Sequence, residues 1–156
     1  MQELTFTDPN FVAMVRGVRG LHRLVLEGSA DDSPEAEAIR DATDGPWRAL
    51  SEADRRRVRE LSEDLFSLGE LAAMPRPMTA EVNSMLTEVD EARHRSDWDT
   101  ALALLRRCAG HLSPARLSYL RGVIWQEAGD PETASLFLEH AARLAPENRD
   151  ERAAAS

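Results

Sequence analysis

At 156 residues, with 42% hydrophobic and 30% charged side chains, the chain suits one compact domain with a real core and is not composed like a disordered segment. A net charge of −9 argues against a general nucleic-acid binder, because a phosphate backbone calls for a basic surface. All 19 basic residues are arginine, and the missing lysine excludes a Walker A site, a pyridoxal Schiff base and a kinase-type ATP lysine.

The apolar residues are mostly Leu, Ala and Val, with Glu and Arg on the polar faces, a helix-forming vocabulary. Four prolines directly follow a capping residue: Asp8-Pro9, Ser33-Pro34, Ser113-Pro114 and Asp130-Pro131. An Asp or Ser oxygen accepts from the orphan N–H groups of a first turn, and proline at the first helical position forfeits no bond. Each pair therefore marks a helix start.

The first helix is expected over about 9–27, where Phe11, Val15, Val18, Leu21 and Val25 recur at steps of three and four, with Gly28 beyond its end. A shorter helix follows the acidic turn "GSADDS", from Pro34 to about Asp41. In "LSEADRRRVRELSEDLFSL", Ser51 with Asp54 resembles a capping box, and Leu50, Val58, Leu61, Leu65 and Leu68 form the apolar stripe. The basic run within it is flanked by acids and reads as a solvated helix face. "AAMPRPM" cannot continue a helix, which places an internal boundary at 74–78, with a proline-rich break over 75–78 between an N-terminal helical region (1–74) and residues 79–148. Four helices should follow, over about 79–95, 98–109, 114–127 and 131–145, and the polar tail 149–156 should fray. No strand-like alternation is visible, so the expected fold is all-α.

The stretch "SDWDTALALLRRCAGHLSP" lies over "GDPETASLFLEHAARLAPE" with a constant offset of 33 (134 − 101). Asp97 falls on Asp130, Ala101 on Ala134, Leu104 on Phe137, Leu105 on Leu138 and Cys108 on Ala141. The small residues suit a close approach of two helices, and the two aspartates suit N-caps. Gly122 suits a packing contact and Gly129 a tight turn. With Trp125 and Pro146 also in place, residues 82–148 resemble two tetratricopeptide repeats, one residue short of that family's period. The second copy is the better match. The first has Val89 at the small-residue position and Ser113 where the final proline belongs, and both lack the usual leucine, showing Glu88 and Arg121. The N-terminal segments resemble bacterial tetratricopeptide-like proteins of unassigned function.

This resemblance implies antiparallel helical hairpins, capped by the N-terminal helices and presenting a groove lined by the first helix of each hairpin. Carried over, the groove residues are Asn83, Leu86, Asp90, Arg93 and His94, then Arg116, Tyr119, Val123, Gln126 and Glu127. Arg93 and Arg116 would clamp a carboxylate or acidic peptide, with Tyr119 stacking or donating. The implied function is a non-catalytic scaffold for a peptide or protein partner. Self-association through Leu136, Phe137 and Leu144 of the last helix is the other use of an exposed terminal repeat. An enzyme or small-molecule binder, with a pocket between the N-terminal helices and the repeats, is the alternative; a polar cavity with His22 and buried carboxylates would favour it.

No residue pattern points to catalysis, a metal or a cofactor. His22, His94, His111 and His140 lack metal-ligand spacing, and His111 suits a helix C-terminus. Asp31-Asp32 reads as a solvated turn with no EF-hand spacing. Trp47, Trp98 and Trp125 read as core anchors, and Cys108, the single cysteine, as a buried small hydrophobe with no disulfide partner. With neither a signal-peptide pattern nor a long apolar window, a cytoplasmic location is expected.

Overall fold

A computed structural model describes residues 8–29, 32–69 and 74–144. Within them the chain is all-helical: α1 (Pro9–Leu26), α2 (Pro34–Ala49), α3 (Glu52–Ser67), α4 (Ala80–His94), α5 (Trp98–Cys108), α6 (Pro114–Glu127) and α7 (Pro131–Leu144). A single 3-10 turn, Ala109–His111, extends α5. None of these helices is long and apolar enough to cross a membrane. Asp31, Ala145, Pro146 and the tail 149–156 lie outside the described residues.

Side-chain caps start the helices where the sequence places them. Asp8, Ser33, Ser51, Thr79, Asp97 and Ser113 each accept from a backbone N–H of the first turn. Asp130 does the same for Thr133 N–H at 3.1 Å and also accepts from the Thr133 hydroxyl. Each such cap typically contributes about 1 kcal/mol.

The described chain falls into two compact units, one holding α1–α3 and the other residues 74–144. In the first, α1 packs on both α2 and α3. Phe11, Met14, Val15 and Leu24 are buried from α1, Leu50 from the α2–α3 junction, and Val58, Leu61 and Leu65 from α3. The helix expected to stop near Asp41 instead continues to Ala49, through Pro46. Proline inside a helix normally costs about 3 kcal/mol, so tertiary contacts must offset it. A Cβ on Gly17 would strike Thr43, and one on Gly20 would lie 3.0 Å from Ile39, so α1 offers a shallow seat for the middle of α2. At its end, the Arg55 guanidinium of α3 donates to the carbonyls of Trp47 (3.1 Å) and Arg48 (3.0 Å). Arg55 and Arg59 also stand 5.6 and 5.8 Å from the Trp47 ring centroid, a cation–π arrangement. Arg57 is buried and paired with Asp54 at 2.6 Å, and Arg59 reaches Glu52. Three arginines of the basic run are thus held by partners inside this unit, two of them clasping the end of a proline-interrupted helix.

In the second unit α4 packs on α5, α5 on α6 and α6 on α7. One cluster unites Val82, Val89 and Ala92 of α4 with Ala101, Leu105 and Cys108 of α5, Leu112, and Ile124 of α6. Ala134, Phe137 and Ala141 are fully buried on α7. Residues 74–79 are extended and held to the 3-10 turn: Arg76 N–H donates to Gly110 C=O (2.8 Å), and His111 Nδ1 lies 2.8 Å from Pro77 C=O. A carbonyl only accepts, so that nitrogen carries the proton. His111 makes this contact from the last residue of the 3-10 turn.

The 33-residue offset reappears as backbone geometry. After α4, Ser96 N–H donates to Arg93 C=O and Asp97 N–H to Ala92 C=O; after α6, Gly129 N–H donates to Gln126 C=O and Asp130 N–H to Trp125 C=O. Both are Schellman turns, which need a residue with positive φ at the first position past the cap. Gly129 supplies it at +96° and Ser96 at +59°. A side chain there costs roughly 1–2 kcal/mol against the following carbonyl. Ser96→Gly is therefore expected to stabilise the unit by about 0.5–1 kcal/mol, and Gly129→Ala to destabilise it by about 1 kcal/mol or more. Urea denaturation followed through Trp98 and Trp125 fluorescence checks both signs.

Candidate functional site

The candidate groove residues lie on two helices of the second unit. Asn83, Leu86, Asp90 and Arg93 follow one another on α4 by three, four and three residues, and Arg116, Tyr119, Val123 and Gln126 do so on α6. Such steps hold side chains on one helix face. The two stripes are again 33 apart (116 − 83). None of the eight is buried: Asn83, Asp90, Arg116 and Gln126 are exposed, while Leu86, Arg93, Tyr119 and Val123 are half-buried. Leu86 is half-buried because it packs against the core cluster.

The stripes meet at one point. Arg93 at the end of α4 donates through Nε to Glu127 of α6 at 3.2 Å, pairs with the same carboxylate through Nη2, and reaches Asp90 through Nη1 at 3.2 Å. The hydrogen bond to Glu127 raises the arginine pKa still further; burial opposes it second, and the charges of Glu127 and Asp90 add smaller upward effects. The guanidinium is therefore a clasp between the helices, facing two carboxylates. Arg116 is exposed and forms no ion pair with a described residue, so of the two arginines expected to clamp a carboxylate it is the one left facing solvent. His94 Nδ1 is turned back to the Asp90 carbonyl at 2.7 Å.

Other candidates resolve by burial. Trp125 is buried and Trp98 packs against the cluster, whereas Trp47 is half-buried under its two arginines. Cys108 is fully buried, and burial pushes its thiol pKa up, away from nucleophilic use. Phe137 is likewise fully buried, which leaves Leu136 and Leu144 as the surface-accessible members of the α7 trio. No group of three or more His, Cys, Asp or Glu that could hold a metal ion occurs among the described residues.

Sequence reasoning missed a cavity of about 190 Å³ inside the first unit, between α1, α2 and α3. Val18, Leu21 and Leu65 line its wall, with Val25 and Phe66 also lining it while exposed at 45% and 59%. Its polar lining comes from His22, Arg40, Ser29 and Ser62, with no carboxylate among the lining residues. The signal was present: α1 carries more apolar residues along its stripe than α2 and α3 cover. Only Phe11 and Val15 of the five predicted stripe residues are buried.

Two histidines feel their surroundings. Burial holds His22 below its ordinary value, and His140 is lowered by burial first and by the charge of Arg143 second. The folded state thus favours neutral imidazoles, while the unfolded chain takes up protons near pH 6.5. Their contribution to stability is complete above that pH and is lost as pH falls through the lower folded values. The urea midpoint should drop between pH 7.5 and 5.5, and His22→Gln and His140→Gln should each flatten that drop; an unchanged slope in both would refute the assignment.

No protein-family model, curated protein or solved structure matches the chain.

Proposed function

We propose that the second unit is a non-catalytic scaffold, two tetratricopeptide-like hairpins that hold a peptide or protein partner on the stripes of α4 and α6. The observation that carries this reading is the recurrence, at one 33-residue offset, of a turn geometry, an aspartate cap and an unburied polar–apolar stripe. A recurring helix pair sets equivalent faces side by side, and a stripe left largely at the surface, with Leu86 packed on the core, is available to something else. The half-buried Tyr119 and Val123 beside the exposed Arg116 give the mixture of an aromatic, an aliphatic and a planar cation found at binding hot spots.

A partner with an acidic side chain or a free carboxylate suits Arg116, which can take a carboxylate in a bidentate grip. Arg93 contributes through shape, since its charge is answered by Glu127 and Asp90. A cytoplasmic setting belongs to the same proposal. The test is affinity capture from an extract of the source organism with the wild type, Arg93→Ala, and the double variant Arg116→Ala/Tyr119→Ala. The double variant should lose about tenfold or more in partner recovery, the scale of a hot-spot truncation, and Arg93→Ala should lose less. Equal recovery by the double variant would sink the groove.

A further inference from the structure

The cavity of the first unit holds a polar group that the fold does not use. His22, next to Leu21 and one turn beyond Val18 on α1, is only 8% exposed and makes no hydrogen bond with a described residue. Its ring nitrogens stay within reach of water, so the imidazole presents an available donor and acceptor at the cavity wall. Its imidazole lines a space of about 190 Å³ whose remaining walls are mainly aliphatic, with the Phe66 ring half-open to solvent. A hydroxyl of another molecule can take the place of water on that imidazole, beside walls that are otherwise mainly apolar.

The geometry points to a binding site for a small, neutral, single-ring aromatic molecule bearing one hydroxyl, a phenol, with the ring among Val18, Leu21 and Leu65 and the hydroxyl on His22. Size sets the ring count: an apolar cavity near 150 Å³ accommodates benzene, so this one takes one ring with a short substituent and not two fused rings with side groups. The imidazole sets the polar group. A neutral histidine has one ring nitrogen that donates and one that accepts, and a hydroxyl can satisfy either. An ionised headgroup would have to shed its water against aliphatic walls, and no free cation is assigned to receive it, because Arg40 is already engaged. Phe66 offers an edge-to-face partner for the ring. The site is independent of the α4–α6 scaffold and stands or falls without it.

Titration of the full-length protein with 4-methylphenol and with toluene, followed by calorimetry and by the His22 ring-nitrogen resonances, tests the assignment. A net hydrogen bond of about 0.5–1.5 kcal/mol predicts that 4-methylphenol binds roughly three- to tenfold tighter than toluene and shifts the His22 signals. His22→Leu should abolish or invert that preference, since the hydroxyl then lacks a partner. Where that variant loses helicity, His22→Gln, which keeps a donor and an acceptor, serves instead and should retain a hydroxyl preference. Val25→Trp, at a position 45% exposed on the rim, should weaken both ligands at least tenfold by closing the mouth. Equal affinity for the two ligands in the wild type, binding unaffected by Val25→Trp, or no binding of either at millimolar concentration would overturn the proposal, the last leaving a chamber that holds water only.

Discussion

Phe137→Ala should remove about 3–5 kcal/mol from the stability of the second unit, the range for emptying a fully buried aromatic site. Phe137 is the largest fully buried side chain of α7, with none of its surface exposed. Its helix packs on α6, and no other described element makes comparably extensive contact with it. Loss of the ring therefore leaves a void that only α6 can close, and α6 is held from closing by its own cap at Ser113 and the turn at Gly129. Hydrogen exchange is the sharpest readout, because protection of α6 and α7 amides reports local opening rather than a chain average. A drop in protection there by about two orders of magnitude or more corresponds to the lower bound of the predicted range, at tenfold per 1.4 kcal/mol. A loss under 1 kcal/mol would mean that neighbouring side chains refill the site, and the packing of α7 would need another account.

The helices, their starts and their turns were legible because each rests on a local signal. Asp97 and Asp130 cap their helices through their own side chains, and Gly129 declares a left-handed residue by having no Cβ. What local signals could not reveal was anything decided across a helix interface. The helix expected to end near Asp41 runs on through Asp-Gly-Pro at 44–46, where Gly17 and Gly20 on α1 and Arg55 on α3 carry it. The seat was visible as two glycines three residues apart, but nothing in the sequence says which helix would use it. The repeat alignment shows the same limit. It equates Leu104 with Phe137 and Leu105 with Leu138, whereas the fully buried members are Leu105 in α5 and Phe137 in α7. Ala101 and Ala134, and Cys108 and Ala141, are buried alike, so the two second helices share an inward face and differ only in which of two adjacent residues points into it. The candidate site was legible as two stripes, and the Arg93–Glu127 clasp was not, since it joins residues 34 apart that the repeat treats as separate copies.

The cause of that local difference is testable at Gly122. A Cβ there would lie 2.6 Å from Leu138 Cδ2 and Cγ and 3.3 Å from the Ala134 carbonyl, so α6 and α7 meet with no room for a side chain. The first pair carries Val89 at the matching position, also buried, with Leu105 buried on α5. The second pair has exchanged a valine on its first helix for a glycine and a leucine on its second for Phe137, and the larger ring turns inward. Gly122→Val, which installs the residue its sister helix already has, is expected to cost about 1–3 kcal/mol by overpacking. The intrinsic gain from removing a helical glycine, about 0.5 kcal/mol, offsets only part of this. Adding Leu138→Ala should recover much of the loss, because the strained contact is mostly with that side chain. The double variant should then be more stable than the sum of the singles predicts, by about 0.5–3 kcal/mol of coupling. Were the two changes simply additive, Gly122 would owe its place to the Ala134 backbone, and the inward turn of Phe137 in place of Leu138 would follow from the close approach of two main chains and not from the exchange of two side chains.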